Sequence, residues 1–164
     1  MLVLIVLGLC VSCDQVTKHV AKQNLSPIPR VHLWDGIVQL EYTENPGAFL
    51  SLGARLPKAV RFWTLVVFTG VMLLGMLVFV LRTREIGRLG VVAISLVIGG
   101  GTSNLLDRIR YDGAVVDFMN VGIGWLRTGI FNVADVAIMA GVGLLLIWSF
   151  HLDKSSTEPL NSQS

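Results

Sequence analysis

The chain has 164 residues, 53% of them hydrophobic and 15% charged, with a mean hydropathy of +0.69. An ordinary soluble domain carries about a quarter charged residues, so this composition excludes a water-soluble globule and makes the bilayer the default solvent. The net charge is only +2 and the 13 basic residues are scattered, with no basic stripe interleaved with aromatics, which argues against a nucleic-acid partner.

In chain order, the first apolar run, residues 1–13, is short for a membrane span and long enough for the core of a secretory leader. No basic residue precedes it, and the residues before Cys10 and Cys13 fit a lipoprotein cleavage site poorly. Continued through Asp14, Gln15, Val16, Thr17 and Lys18, the run reaches spanning length. We therefore read a retained first helix over about 1–22, with Asp14 and Lys18 stacked at i and i+4 near its far end. Cys10 and Cys13, three apart on one helical face, read as small packing residues, since neither a disulfide framework nor a zinc site can be completed. His19, His32 and His151 share no metal-ligand spacing, and no metal or cofactor is expected.

Residues 24–59 are a polar loop holding Pro27, Pro29, Pro46 and Pro57. Within it Asp35-Gly36, flanked by VHLW and IVQLEYT, signals a two-residue hairpin and hence a small β-structure. Three further spans follow at about 60–81, 88–106 and 130–150, the last interrupted only by Asp135. Residues 82–88 form a tight turn with Arg82, Arg84 and Arg88, residues 107–129 form a second long loop, and residues 151–164 form a short polar tail. The whole reads as one integral membrane domain over 1–150. Charge does not orient it. The long loops with the span ends that adjoin them carry nine Lys and Arg against four in the turn and tail, yet the turn packs three arginines into seven residues.

Polar side chains inside spans cost a few kcal/mol each, so they are expected to be paired or functional. Here Asp14 and Lys18 end the first span, Asn104, Asp107 and Arg108 end the third, and Asn132 and Asp135 begin the fourth. In a four-span chain all of these fall on one membrane face, as do the long loops with Asn45 and Asp117. Asp135 taken alone reads equally well as a polar anchor, and Asp117 alone as an exposed loop residue. Together they make a candidate acid pair. Two carboxylates sharing a site hold one proton between them, so one can act as base on a water while the other donates to a carbonyl oxygen. That chemistry hydrolyses a peptide without metal or covalent nucleophile. No G-x-S-x-G elbow or H-E-x-x-H pair competes with it. The triple glycine Gly99-Gly100-Gly101 lies inside an apolar span and reads as a close helix-packing face.

Four ordered blocks carry a resemblance. Asp14-Gln15-Val16-Thr17-Lys18 resembles the D-Q-x-T-K motif of lipoprotein signal peptidases (signal peptidase II), and Asn45-Pro46-Gly47-Ala48-Phe49 resembles their N-x-G-A block. Asn104-Leu105-Leu106-Asp107-Arg108 with Gly113, Val116, Asp117 and Phe118 is similar to G-N-x-x-D-R…G-x-V-x-D-F, and Phe131-Asn132-Val133-Ala134-Asp135 to F-N-x-A-D. Ser103 stands where that pattern usually has glycine, and the stretch from Asn104 to Asp117 is about one residue long for it.

The resemblance implies an all-α membrane protein of four transmembrane helices with a small periplasmic β-cradle, made largely by the first long loop, and cytoplasmic termini. It also implies a site at the periplasmic face of the bacterial inner membrane, with Asp117 and Asp135 as catalytic residues. Asp14, Lys18, Asn45, Gly47, Asn104, Arg108, Asn132 and Ala134 would then line or brace the site. The implied partners are membrane lipids and a prolipoprotein cut just N-terminal to its diacylglyceryl-modified Cys by a monomeric enzyme. Two other readings stand beside it. One is a small non-enzymatic transporter subunit with Asp135 and Asn132 as a proton or cation relay; the other is an intramembrane aspartyl protease of the G-x-G-D kind, whose motif this chain lacks.

Overall fold

The computed structural model describes residues 1–28, 30–48, 52–83 and 86–156, the last six of these as backbone. Pro29, Phe49, Arg84 and the tail beyond Ser156 lie outside the described residues. Among the described residues, four helices are long and apolar enough to cross a membrane. Helix α1 spans Leu2–Leu25, three residues beyond the expected end, and stops where Pro27 cannot continue it. Its 24 residues, at about 1.5 Å each, reach about 36 Å, enough to cross a hydrocarbon core of about 30 Å. Cys10, Asp14, Lys18, Ala21 and Leu25 recur every three or four residues and form its buried stripe. Cys13, expected to pack, is instead exposed on the outer face, while Cys10 is buried.

Helix α2 runs over Lys58–Arg82, with a π-helical stretch at Phe62–Phe68 near its start. Most of its large side chains, Trp63, Phe68, Val71 and Leu74 among them, face outward, as the apolar solvent of a bilayer allows. Helix α3 spans Arg88–Arg110, one turn longer than expected, and is the most buried of the four. Helix α4 spans Val133–Ser156, so the start of the expected tail is helical.

The glycine run makes α3 the centre of the bundle. A Cβ on Gly99 would sit 2.8 Å from Cys10 Cβ of α1, one on Gly100 would lie 2.8 Å from Ile138 Cγ1 and overlap the Ala134 carbonyl of α4, and one on Gly101 would lie 2.7 Å from Leu73 of α2. Three successive glycines thus each receive a different helix, α1 and α2 through side chains and α4 through its backbone. Gly100→Val is expected to destabilise the protein by about 1–3 kcal/mol through overpacking. Thermal unfolding in detergent measures it, and an unchanged Tm would mean that α3 and α4 do not meet there.

At one end of the bundle lies a four-stranded antiparallel sheet in the order β1-β2-β3-β4: β1 Val31–Leu33, β2 Val38–Asn45, β3 Val115–Ile123 and β4 Leu126–Arg127. The expected hairpin is present, but its connection is four residues rather than two. Trp34, Asp35 and Gly36 all take positive φ, and two overlapping turns close it, Gly36 N–H to Leu33 O and Ile37 N–H to Trp34 O. The second long loop is the larger correction. It contributes β3, so half of the sheet comes from it, and Asp117 lies in a strand rather than an exposed loop. Arg127 ties the two sheet halves together, donating to the carbonyls of Gly36 at 2.9 Å and Ile37 at 3.1 Å.

Candidate active site

Strand geometry aims the first acid. Successive residues of β3 face opposite sides: Phe118 packs with Ala21 and Leu25 of α1, which leaves Asp117 pointing to the other side. A bulge in β2 between Leu40 and Thr43 sets the register that brings Thr43 opposite Asp117 and Asn45 opposite Val115. Asn45 Nδ2 donates to Asp117 Oδ2 at 3.0 Å, and Asn132 Nδ2 to Asp117 Oδ1 at 2.7 Å.

Helix capping aims the second acid. Asn132 stands just before α4 and its Oδ1 accepts the Asp135 N–H at 2.9 Å, while Asp135 Oδ2 accepts the Asn132 N–H at 3.2 Å. The F-N-x-A-D block is therefore a reciprocal capping box, in which two first-turn amides find side-chain partners. Asp135 Oδ1 is held from α3 by Asn104 Nδ2 at 2.9 Å. Asp117 and Asp135 front one cleft of about 420 Å³, lined also by the polar Asn45, Asn104 and Arg108 and by the apolar Leu65, Ile138 and Met139.

Asp117 is almost fully buried. Burial pushes its carboxyl up to about 6, with the nearby charge of Asp135 adding to the rise and the Asn45 and Asn132 amides opposing it. The folded state therefore keeps a proton at a pH where an unfolded Asp, titrating near ~3.9, has lost it. A folded-state value above the unfolded one means stability present at low pH and lost as pH rises through about 6. The Tm of the wild type is expected to rise as pH is lowered from about 7 to about 5, and to rise less in Asp117→Asn. An equal rise in both would sink this account.

Behind the pair lies a buried charge cluster joining three helices and β3. Lys18 Nζ meets Asp14 Oδ2 at 2.7 Å, Asp107 Oδ2 at 2.8 Å and Asn104 Oδ1 at 2.8 Å. Asp14 Oδ1 accepts the Ala134 N–H at 2.7 Å, so a carboxylate of α1 caps the N-terminus of α4. Asp107 Oδ2 accepts the Val116 N–H at 3.1 Å, fixing the strand that carries Asp117. Gly47 N–H donates to Asn45 Oδ1 at 2.9 Å, and Arg108 Nη2 donates to Gly47 O at 3.1 Å, tying the N-P-G-A turn to α3.

All ten residues singled out in the sequence thus gather at one end of the bundle. Asn45 and Asn132, expected to line or brace the site, both hold Asp117. Asp107, expected only as a paired or functional polar group at a span end, and Gln15 and Ser103, without a specific expectation, join the same network. Gln15 Nε2 donates to Asp107 Oδ1 at 2.8 Å and to Ser103 Oγ at 3.0 Å, and the Ser103 hydroxyl donates to Asp14 Oδ2 at 2.7 Å. The serine that departs from the family pattern supplies a bond that glycine could not make. Asp107 was legible as a charge at the end of a span, three residues from Asn104.

A family profile described as Signal peptidase (SPase) II matches residues 6–151. The chain is 39% identical over 135 residues to a lipoprotein signal peptidase of Sphingopyxis alaskensis, covering 81% of this chain and 76% of that protein. It is 34% identical over 148 residues to one of Syntrophus aciditrophicus, covering 89% and 90%. A solved bacterial membrane enzyme shares the fold with a TM-score of 0.78 at 25% identity, covering 99% of this chain and 94% of that one. With four spans, two acids on one cleft and a match across nearly the whole chain, this protein belongs to the signal peptidase II family of membrane peptidases.

Proposed function

We propose that this chain removes signal peptides from prolipoproteins in the bacterial inner membrane, with Asp117 and Asp135 as its catalytic pair at the periplasmic face. The observation that carries the reading is the shared cleft, lined by both carboxylates and by the apolar Leu65, Ile138 and Met139. Such a cleft suits a peptide bond adjacent to a Cys whose acyl chains stay in the bilayer. Anchoring the lipid holds the bond at the depth of the acids and supplies proximity.

The pair carries one proton at rest. The ionised carboxylate takes a proton from water as the water oxygen attacks the scissile carbonyl, and the protonated one donates to the carbonyl oxygen. Collapse of the tetrahedral intermediate passes a proton to the departing amine and breaks the C–N bond, leaving the lipidated Cys as the new N-terminus. The sheet then lies on the periplasmic side, both termini lie in the cytoplasm, residues 1–150 act as one membrane domain, and the enzyme works as a monomer.

The relay reading of Asp135 and Asn132 is less well supported. The Asn132 amide is committed to Asp117 and Asn104, which suits a holder of a carboxylate pair better than a ladder for moving ions. Purified protein incubated with a diacylglyceryl-modified precursor peptide and with the unmodified peptide decides the matter. Cleavage before the Cys of the modified peptide alone is expected. Equal cleavage of both would remove the lipid from the recognition.

A further inference from the structure

The Lys18 ammonium is 4% exposed and has three acceptors, of which two are carboxylates that balance its charge. The third, Asn104 Oδ1, leads to the acid pair. An ammonium only donates, so the Asn104 amide has one workable orientation, oxygen toward Lys18. Its NH₂ is thereby turned onto Asp135 Oδ1, at 2.9 Å. The same Asn104 oxygen accepts from Asn132 Nδ2 at 3.1 Å, and Asn132 Nδ2 also reaches Asp117 Oδ1. One buried cation on α1 therefore sets the sense of the hydrogen bonds that end on both acids.

We propose that Lys18 is a positioning residue for the carboxylate pair: by pinning the Asn104 oxygen it presents an N–H to Asp135 and keeps Asp135 in the form that accepts a proton from water. This rests on the reading of Asp117 and Asp135 as the catalytic pair. Without the ammonium the Asn104 oxygen keeps only the Asn132 amide as donor, and an Asn104 side chain that turns brings its oxygen to the Asp135 carboxylate, an arrangement that favours a proton there. The charged groups facing Asp135 are Asp117 from β3, Arg108 from α3, and Lys18 and Asp14 from α1. Removing Lys18 leaves Arg108 as the one cation among them, which pushes in the same direction.

The pH dependence of kcat on a diacylglyceryl-modified precursor peptide tests this, using wild type, Lys18→Met, and the charge-balanced pair Lys18→Met with Asp14→Asn. Both are expected to shift the acid limb of kcat upward by about one pH unit, with KM within about twofold of wild type. A lysine that merely supports the fold would lower kcat at every pH without moving the limb. An unshifted limb in a folded variant overturns the proposal, as does a folded variant inactive at every pH. Failure of both to fold, judged by Tm in detergent, overturns it too, because the ammonium would then serve the fold and not the pair. Asp117→Asn and Asp135→Asn run in parallel separate the two layers. If they retain turnover, the catalytic pair is wrong; if they are inactive while the limb stays put, only the role of Lys18 is.

Discussion

Asp117→Asn and Asp135→Asn are each expected to lower cleavage of a lipidated precursor by at least about 10³-fold while leaving the protein folded. Asn matches Asp in size, so the cleft keeps its shape, and the Asn45 and Asn104 amides lose only part of their partners. Chemistry should fail all the same, because an amide neither takes a proton from water nor supplies one to a carbonyl oxygen. The two substitutions should also be non-additive. A pair that works by sharing one proton is disabled by losing either member, so the double variant should be no slower than the single ones. Single-turnover assays with matched Tm values in detergent check this. Substantial turnover by either single variant would remove that acid from the reaction.

The second large effect is on stability. Asp14→Ala removes a carboxylate with no exposed surface, which holds the Lys18 ammonium, accepts the Ser103 hydroxyl and caps α4 through Ala134 N–H. Taking one partner from a buried charge cluster costs about 3–5 kcal/mol, and loss of a helix cap about 1 kcal/mol within that total. Asp14→Asn should cost less, since its amide oxygen can still accept from Ala134 N–H, although its NH₂ then faces the Lys18 ammonium where the carboxylate had accepted from it. The Tm difference between the two variants is the measurement. If both unfold with the wild type, neither the cap nor the charge at Asp14 matters to the fold; an equal fall of both below it would assign the cost to the charge alone.

The spans were readable because an uncharged run of about 20 residues matches the thickness of a hydrocarbon core, and a water-soluble chain has little use for one. The blocks around Asp14, Asn45, Asn104 and Asn132 marked the site. The hairpin was found through Asp35-Gly36, but the dipeptide could not show that Trp34 also takes a positive φ and lengthens the connection. Strand β3 was not legible for a physical reason. Val115 to Phe118 are buried on both faces, so the alternation that betrays a half-exposed strand is absent, and Asp117 and Asn120 break the apolar run as they would in a loop. Pairings such as Lys18 with Asp107 lie far apart in the chain, and no local spacing encodes them. The capping box is legible from Asn132 and Asp135 alone, three residues apart at a helix start, but the same two residues also invite a catalytic reading that hides it.

A helix whose three successive positions are each filled by a different neighbour behaves as a keyed shaft. Gly99, Gly100 and Gly101 point about 100° apart, and turning α3 on its axis would drive atoms of Cys10, Ala134 or Leu73 into a backbone that has no side chain to yield. The central helix is thus locked in azimuth, and any rearrangement of the bundle falls to its outer members. The cleft that holds the two acids is bordered by Gly101 of this fixed helix, by Leu65 and Thr69 of α2 and by Ile138 and Met139 of α4.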